Sequence, residues 1–451
     1  MVARRGCPEA RCYGRAAVAP HRRILVAAGA ALALLVVYLV LWAGVSRLDI
    51  GRSDFTSSYV AGTLLREGHR GDIYDESVQR PLHARLIDPD REGNLPFVNP
   101  PPAAALAAPL TVLGLDAAYR LWSLLQLGLL AAAVAVAIRS APRPSRRWGR
   151  ALLTGGAVAL AGLGTASTLL LGQWDGVSAL GLALAYASWR RGHSMRAGAW
   201  LAVSAAVAKP HLALGLLVYA AARRDRRLLA GMVAGLAGVL AASLALVAPS
   251  GLEGFAHATV SGASRWPAAG MLGLSGLFGS WLGDGAATQV LVAVTGAAGL
   301  LGCALLGNAA RGRPDRLEFS LAGATALSLV VSPHLLGQDL ALLAPAVAWC
   351  LGRAAALDRE RAGNWPRAAT LRVLLLWAGI NAAAVVDLGR NTTGPPGRLV
   401  PWALVAAGVA ALQATENRRV TRLSVRRWRR PWMRRRPLTI ARNTARPGAS
   451  R

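Results

Sequence analysis

The chain has 451 residues, of which 54% are hydrophobic and only 16% are charged. Lysine and arginine together outnumber aspartate and glutamate by 51 to 22, which gives a formal net charge of +29. Apolar segments recur along the sequence and leave no stretch with the composition of a soluble catalytic domain. Any chemistry must therefore be carried by loops and helix ends.

The first apolar run, ILVAAGAALALLVVYLVLWAGV, covers residues 24–45. Its length matches the roughly 20 residues that a helix needs to cross a hydrocarbon core about 30 Å thick. It is longer than the apolar region of a signal peptide and lacks a small-residue cleavage site, so we interpret it as a retained anchor. Comparable runs follow to the end of the chain. The sequence predicts an all-α polytopic membrane protein.

Arginines concentrate in the short loops beside these runs, where positive charge marks the cytoplasmic side of a membrane protein. Placing all of these loops in the cytoplasm predicts 12 crossings with both termini inside. The predicted crossings are residues 24–45, 117–138, 151–171, 175–189, 228–248, 287–308, 318–332, 335–352, 369–387 and 399–413, with two short passes in 197–221 that meet at Lys209-Pro210.

The same topology divides the chain into three regions. Residues 1–23 form a basic cytoplasmic tail, residues 24–413 a transmembrane domain, and residues 414–451 a basic cytoplasmic tail that we expect to be disordered. The arginines of the C-terminal tail are best explained by contact with anionic membrane lipids. Nucleic-acid binding is not favoured, since no nucleic-acid-binding fold or aromatic platform accompanies them.

The first extracytoplasmic loop, residues 46–100, contains nine of the 22 acidic residues. Its segment SDFTSSYVAGTLLREG predicts a short amphipathic helix that begins near Asp54, uses Tyr59 for apolar contacts and stops at Gly68. A second short helix is predicted over residues 73–87. We expect both to lie flat on the membrane and cover a cavity. The proline-rich segment 101–113 is too short to cross and is predicted to be re-entrant.

Polar residues interrupt the apolar segments at three further places. Lys209, the single lysine of the chain, lies in AVAKPHLALG, and an ionisable group at membrane depth is a functional candidate. The interruptions GQWDG (172–176) and SPHLLGQD (332–339) fall on the same predicted side as the first loop. Each polar residue alone also fits an ordinary cap or a satisfied hydrogen bond. Their convergence on one cavity is predicted for Asp54, Gln173, Asp175, His334, Gln338 and Asp339.

A carboxylate beside cationic groups suits transfer of a group to an alcohol. The carboxylate accepts the hydroxyl proton as the new bond forms. Cations stabilise the negative charge that grows on a departing phosphate. At a membrane surface, a lipid-linked phosphate is the natural donor.

Five segments resemble glycosyltransferase family 87: the first-loop segment from SDF to IYD, NPPPAAALAAPLTVLG, LLLGQWDGVSALGLALA, AVAKPHLALGLLVYAAARRDRR and SPHLLGQDLALLAPA. Their order is the same, and the resemblance covers roughly residues 24–410. It implies a GT-C-type fold and an actinobacterial α-mannosyltransferase that uses polyprenyl-phosphate mannose and inverts the sugar linkage. The implied α-1,2 linkage belongs to the same resemblance.

The resemblance also implies roles for individual residues. Asp54 matches the aspartate that acts as catalytic base, and His334 matches a histidine that contacts the donor phosphate or the acceptor. Lys209 matches a lysine to which we assign a phosphate contact. Gln173, Asp175, Tyr59 and Arg265 complete the predicted substrate-binding set. The run TSSY after Phe55 is less aromatic than the family pattern and leaves the acceptor open.

No metal or other cofactor is predicted, since no divalent-metal motif accompanies these residues. The expected partners are a polyprenyl-phosphate sugar, a glycolipid or cell-wall glycan acceptor, and membrane lipids. Two alternatives stay open: the same fold with arabinose or glucose as the donor sugar, and a transporter of lipids or solutes. A transporter would place charges along a midplane path in two matching halves, whereas here carboxylates concentrate in one loop.

Overall fold

The computed structural model describes residues 13–86, 95–142, 148–262, 268–360, 368–390 and 398–416. Within these ranges the chain forms helices and no strands. We number the α-helices in chain order. They are α1 Tyr13–Ala43, α2 Arg47–Gly51, α3 Asp54–Arg66, α4 Glu76–His83, α5 Pro101–Ala107, α6 Leu115–Ser140, α7 Trp148–Leu160, α8 Leu163–Leu171, α9 Asp175–Arg190, α10 Ser194–Val207, α11 Leu214–Ala222, α12 Arg226–Gly262, α13 Leu274–Leu282, α14 Ala286–Ala309, α15 Leu317–Val331, α16 Leu343–Glu360, α17 Ala368–Arg390 and α18 Val400–Glu416.

Short 3-10 helices join several of these elements. They cover Ala108–Val112 after α5, Pro210–Ala213 before α11, Ala268–Gly270 before α13, Pro314–Arg316 before α15 and Gly337–Leu342 before α16. Two of them, beginning at Pro210 and Gly337, fall at the polar interruptions singled out from the sequence. A proline at the start of such a turn is expected, because its missing N–H removes no helical hydrogen bond there.

Among the described residues, six helices are long and apolar enough to cross a membrane. These spans are Val26–Ala43, Leu115–Ser140, Arg226–Ser261, Ala286–Ala309, Gly337–Asp358 and Ala368–Gly389. A seventh results if Thr154–Leu160 and Leu163–Leu171, which meet at 62°, form one bent span. The protein is therefore an all-helical, multi-pass membrane protein. The count of 12 crossings and the orientation of the termini stay predictions.

The first helix of the first loop is mostly buried. Helix α3 was expected to lie flat on the membrane, and most of its residues, including polar Thr56 and Ser58, are buried inside the protein. It packs against α5 so closely that a Cβ on Gly62 would lie 2.9 Å from the Ala108 nitrogen. The small side chains of α3 allow the two backbones to approach, so α3 is packed inside the protein on most of its surface. Its predicted orientation flat on the membrane stays a prediction.

The second predicted helix of the loop is shorter than expected. Helix α4 covers Glu76–His83, with Asp75 capping it through a 2.8 Å hydrogen bond from the Ser77 N–H. Only Gln79 and His83 are buried, so α4 does present one face to the protein and another to its surroundings. The predicted C-terminal end at residue 87 lies outside the described residues.

Candidate active site

The loop between α8 and α9 brings Gln173 to Asp54. Helix α8 ends at Leu171 and is capped by Gly172, which adopts a left-handed conformation at φ 63°. Glycine is needed here for two reasons. It adopts the left-handed conformation without strain, and a Cβ at this position would lie 2.7 Å from the Phe55 Cβ. The Gly172 carbonyl accepts a 2.8 Å hydrogen bond from the Trp122 indole, which fixes the turn. As a result, the Gln173 amide donates a hydrogen bond to the Asp54 carboxylate.

Asp54 is the first residue of α3 and is half-buried. It lies outside the candidate membrane spans. Burial raises the pKa of its carboxyl group above the usual 3.8, while the hydrogen bond from Gln173 and the charge of Lys209 act in the opposite direction. Gln173, which donates to Asp54, lies two residues before Asp175 and so connects Asp54 to the residues described next.

Lys209 lies in the interruption between α10 and α11, and its side chain contacts residues of two other interruptions, before α9 and before α16. Helix α10 ends at Val207, and Lys209 occupies an extended conformation (φ −138°, ψ 79°) before Pro210. Its Nζ donates to Asp175 Oδ1 at 3.2 Å and to Asp339 Oδ1 at 2.6 Å. We call Asp175, Lys209 and Asp339 the ion triad. All three are at least nine-tenths buried, so the carboxylates and the ammonium compensate one another away from water.

Each carboxylate of the ion triad is also fixed at a helix start. Asp175 is the first residue of α9, where the positive end of the helix dipole favours a negative charge. Asp339 accepts a 2.7 Å hydrogen bond from the Leu336 N–H through Oδ2. The neighbouring backbone is tightly packed, since a Cβ on Gly164 would lie 2.2 Å from the Ala341 nitrogen. The triad therefore sits on rigid elements.

Two histidines face each other next to the ion triad. His334, in the segment before Gly337–Leu342, and His211, directly after Pro210, have ring centroids 6.3 Å apart at an angle of 85°. Both residues are partly exposed; His211 lies two residues after Lys209, and His334 lies five residues before Asp339. His211 was not among the predicted site residues. Its position in the same interruption as Lys209 was the signal that could have found it.

The structure does not bring every predicted site residue to this place. The Tyr59 hydroxyl donates a 2.8 Å hydrogen bond to the Leu113 carbonyl, and so ties α3 to the segment before α6. Gln338 is buried beside Asp339 in the same 3-10 helix. Arg265 lies outside the described residues. Asp54, Gln173, Asp175, Lys209 and His334 do come together with Asp339 and His211.

A carboxylate, an ammonium group and partly exposed imidazole residues grouped in this way are suited to proton transfer and to the binding of an anionic group. Within the described ranges, no group of three histidine, cysteine, aspartate or glutamate side chains could hold a metal ion.

The model of glycosyltransferase family 87 matches residues 97–333, more than half of the chain. The chain belongs to glycosyltransferase family 87. The resemblance found in the sequence motifs is thereby confirmed, and the protein is a membrane-embedded glycosyltransferase. No curated protein and no solved structure matches the chain significantly.

The family 87 match includes several residues of the site and excludes others. Gln173, Asp175, Lys209 and His211 lie within residues 97–333. Asp54 precedes the matched region, and His334 and Asp339 follow it. The grouping of Asp54 and Asp339 with the matched residues therefore rests on the contacts described above, independently of the family match.

Proposed function

We propose that this family 87 protein transfers a hexose, most simply mannose, from a polyprenyl-phosphate-linked donor to a hydroxyl group of a lipid-linked or cell-envelope glycan. The observation that carries the proposal is the position of Asp54: a carboxylate outside the membrane spans, hydrogen-bonded to Gln173, which lies two residues before Asp175 of the ion triad. The partly exposed Asp54 is the carboxylate of this group that an acceptor hydroxyl can reach.

In the proposed reaction the acceptor oxygen attacks the anomeric carbon of the donor sugar. Its proton passes to the Asp54 carboxylate, the bond between the anomeric carbon and the phosphate oxygen breaks, and the electron pair leaves with the polyprenyl phosphate. Attack from the side opposite the phosphate inverts the linkage. A single base is sufficient for this chemistry, in contrast to the close pair of carboxyl groups in retaining glycoside hydrolases.

The cationic and neutral groups have separate proposed tasks. His334, with His211 facing it, is partly exposed and is placed to donate hydrogen bonds to the donor phosphate. Lys209 holds Asp175 and Asp339 with its ammonium group, so we assign it a positioning role beside its predicted phosphate contact. Gln173 orients the Asp54 carboxylate. The donor phosphate would thus be bound mainly by imidazole groups.

An alternative donor sugar, arabinose or glucose, uses the same base and the same phosphate contacts. A transporter is less well supported, because family 87 is a glycosyltransferase family. The predicted localisation, a cell membrane with the site on the extracytoplasmic side, agrees with a polyprenyl-linked donor whose tail stays in the bilayer.

The test is transfer of radiolabelled mannose from polyprenyl-phosphate mannose in membranes that contain the Asp54→Asn variant. Loss of a general base is expected to lower the rate about 10²-fold or more. Asp72→Asn is the matched control, since Asp72 is exposed in the same loop. An Asp54→Asn rate equal to that of the control, with both proteins inserted at equal levels, would remove Asp54 from the mechanism.

A further inference from the structure

A second group of buried charges lies at the opposite end of α9. From Asp175 to Arg190 the helix rises about 1.5 Å per residue, which separates the two ends by about 22 Å. Arg190 is the last residue of α9, Arg223 directly follows α11, and Arg353 belongs to α16. Together with Glu318 of α15 we call them the arginine cluster. None of these residues takes part in the proposed reaction.

Glu318 is fully buried and is the carboxylate of the arginine cluster. Its Oε1 accepts a 3.0 Å hydrogen bond from the Tyr186 hydroxyl and lies 3.5 Å from Arg190 Nε. The Trp349 indole donates to its backbone carbonyl at 2.9 Å. Its Oε2 has no hydrogen-bond partner in the described part of the chain. Oε1 of Glu318 thus interacts with both Tyr186 and Arg190, whereas Oε2 accepts no hydrogen bond from either.

Arg353 is the buried arginine that α16 adds to the cluster, with 4% of the residue exposed. It lies one helical turn after Trp349, whose indole donates to the Glu318 carbonyl. Its Nε is buried and has no hydrogen-bond partner in the described part of the chain, and the same holds for Nε of Arg223. A guanidinium group carries five N–H donors, so both arginines have donors to offer an anion.

Arg223 extends the cluster towards the surface. It is partly exposed and lies over the rings of Trp189 and Tyr219, at 5.1 and 5.8 Å from their centroids. The Tyr219 hydroxyl in turn contacts Ser320 Oγ at 2.9 Å, two residues from Glu318. Trp189 directly precedes Arg190, which contacts Glu318, so Arg223 lies at the same end of α9 as this carboxylate.

We propose that the arginine cluster binds a phosphate group, supplied by the headgroup of an anionic membrane lipid or by free phosphate. Guanidinium groups match phosphate oxygens in charge and in the geometry of paired hydrogen bonds. A phosphate bound here would accept hydrogen bonds from the guanidinium groups of Arg223 and Arg353. The site lies at the end of the bundle away from Asp54 and does not depend on the proposed transfer reaction.

The test measures binding to the purified full chain in detergent micelles. Dioleoylphosphatidylglycerol is titrated while the thermal unfolding midpoint is followed, with dioleoylglycerol as the lipid that lacks phosphate. A second series uses sodium phosphate against sodium chloride at equal ionic strength. The midpoint of the wild-type chain is expected to rise with phosphatidylglycerol and to stay constant with dioleoylglycerol. A rise with sodium phosphate alone would identify free phosphate as the occupant.

The Arg353→Gln variant identifies the site. Loss of the charge-assisted hydrogen bonds is expected to raise the apparent Kd about tenfold or more. Arg196→Gln, an exposed arginine of α10, is the matched control and should bind like wild type. The proposal is overturned if neither probe raises the wild-type midpoint, or if Arg353→Gln binds like the control. Should Arg353→Gln fail to fold, Arg223→Gln must show the weaker binding.

Discussion

Acidic and basic side chains meet at both ends of α9, but carboxylates are in excess at one end and guanidinium groups at the other. At the first end, the ion triad gives the single ammonium group of Lys209 two carboxylates, and Gln173 links the carboxylate of Asp54 to the residue pair before Asp175. At the other end, the arginine cluster contains three guanidinium groups and one carboxylate, and Arg190 contacts this carboxylate at 3.5 Å. The burial of a charged group therefore does not by itself indicate the role of that group. The sign of the charge in excess does, because an excess of carboxylates suits proton removal and an excess of guanidinium groups suits the binding of an anion.

The largest expected effect is that of Lys209→Met. Removing the ammonium leaves Asp175 and Asp339 buried next to each other without their cation, which should lower the free energy of unfolding by about 3–5 kcal/mol. Thermal unfolding of the purified protein measures this loss. Arg66→Met, an exposed cation of α3, is the control and should change little. An unfolding midpoint equal to that of the control would show that the triad does not stabilise its end of α9.

A smaller effect is expected for Gly164→Ala, which tests whether the backbone around Asp339 is tightly positioned. The new Cβ would lie 2.2 Å from the Ala341 nitrogen, so α8 and the 3-10 helix Gly337–Leu342 must separate. Overpacking of this kind costs about 1–3 kcal/mol. Gly155→Ala in α7 meets no atom within 4 Å and serves as the control. Equal midpoints for the two variants would contradict tight packing at this end.

The smallest effect is a shift in the pH dependence of transfer by Gln173→Ala. Transfer requires ionised Asp54, so the rate falls as the pH drops through the pKa of this group. The hydrogen bond from Gln173 lowers that pKa, and its removal should move the acid limb of the kcat/KM profile to higher pH. Gln289→Ala, at an exposed glutamine, should leave the limb in place. A limb that moves to lower pH in Gln173→Ala would show that the amide does not favour the carboxylate.

The helices themselves could be predicted well from the sequence. The predicted crossings 175–189 and 287–308 correspond to α9 Asp175–Arg190 and α14 Ala286–Ala309, because long apolar runs bounded by arginine or glycine leave little choice. The interruption at Lys209-Pro210 was also predicted, since proline cannot continue the helical hydrogen bonding.

The candidate site was predictable only in part. Gln173, Asp175 and Lys209 stood out because polar residues are rare in an apolar chain. The burial of α3 was not predictable, since serine and threonine can face water or a neighbouring helix with the same local pattern. The direction of Tyr59 towards Leu113 depends on packing between distant segments, which the sequence of either segment does not contain.

The ion triad also makes the single lysine a chemical reporter. Lys209 is the single lysine side chain that an amine-reactive reagent can modify, and it is enclosed by two carboxylates. In the folded protein such a reagent should therefore spare Lys209. Acylation of Lys209 would register each opening of this end of the molecule, so that peptide mass mapping could time those openings without any engineered label.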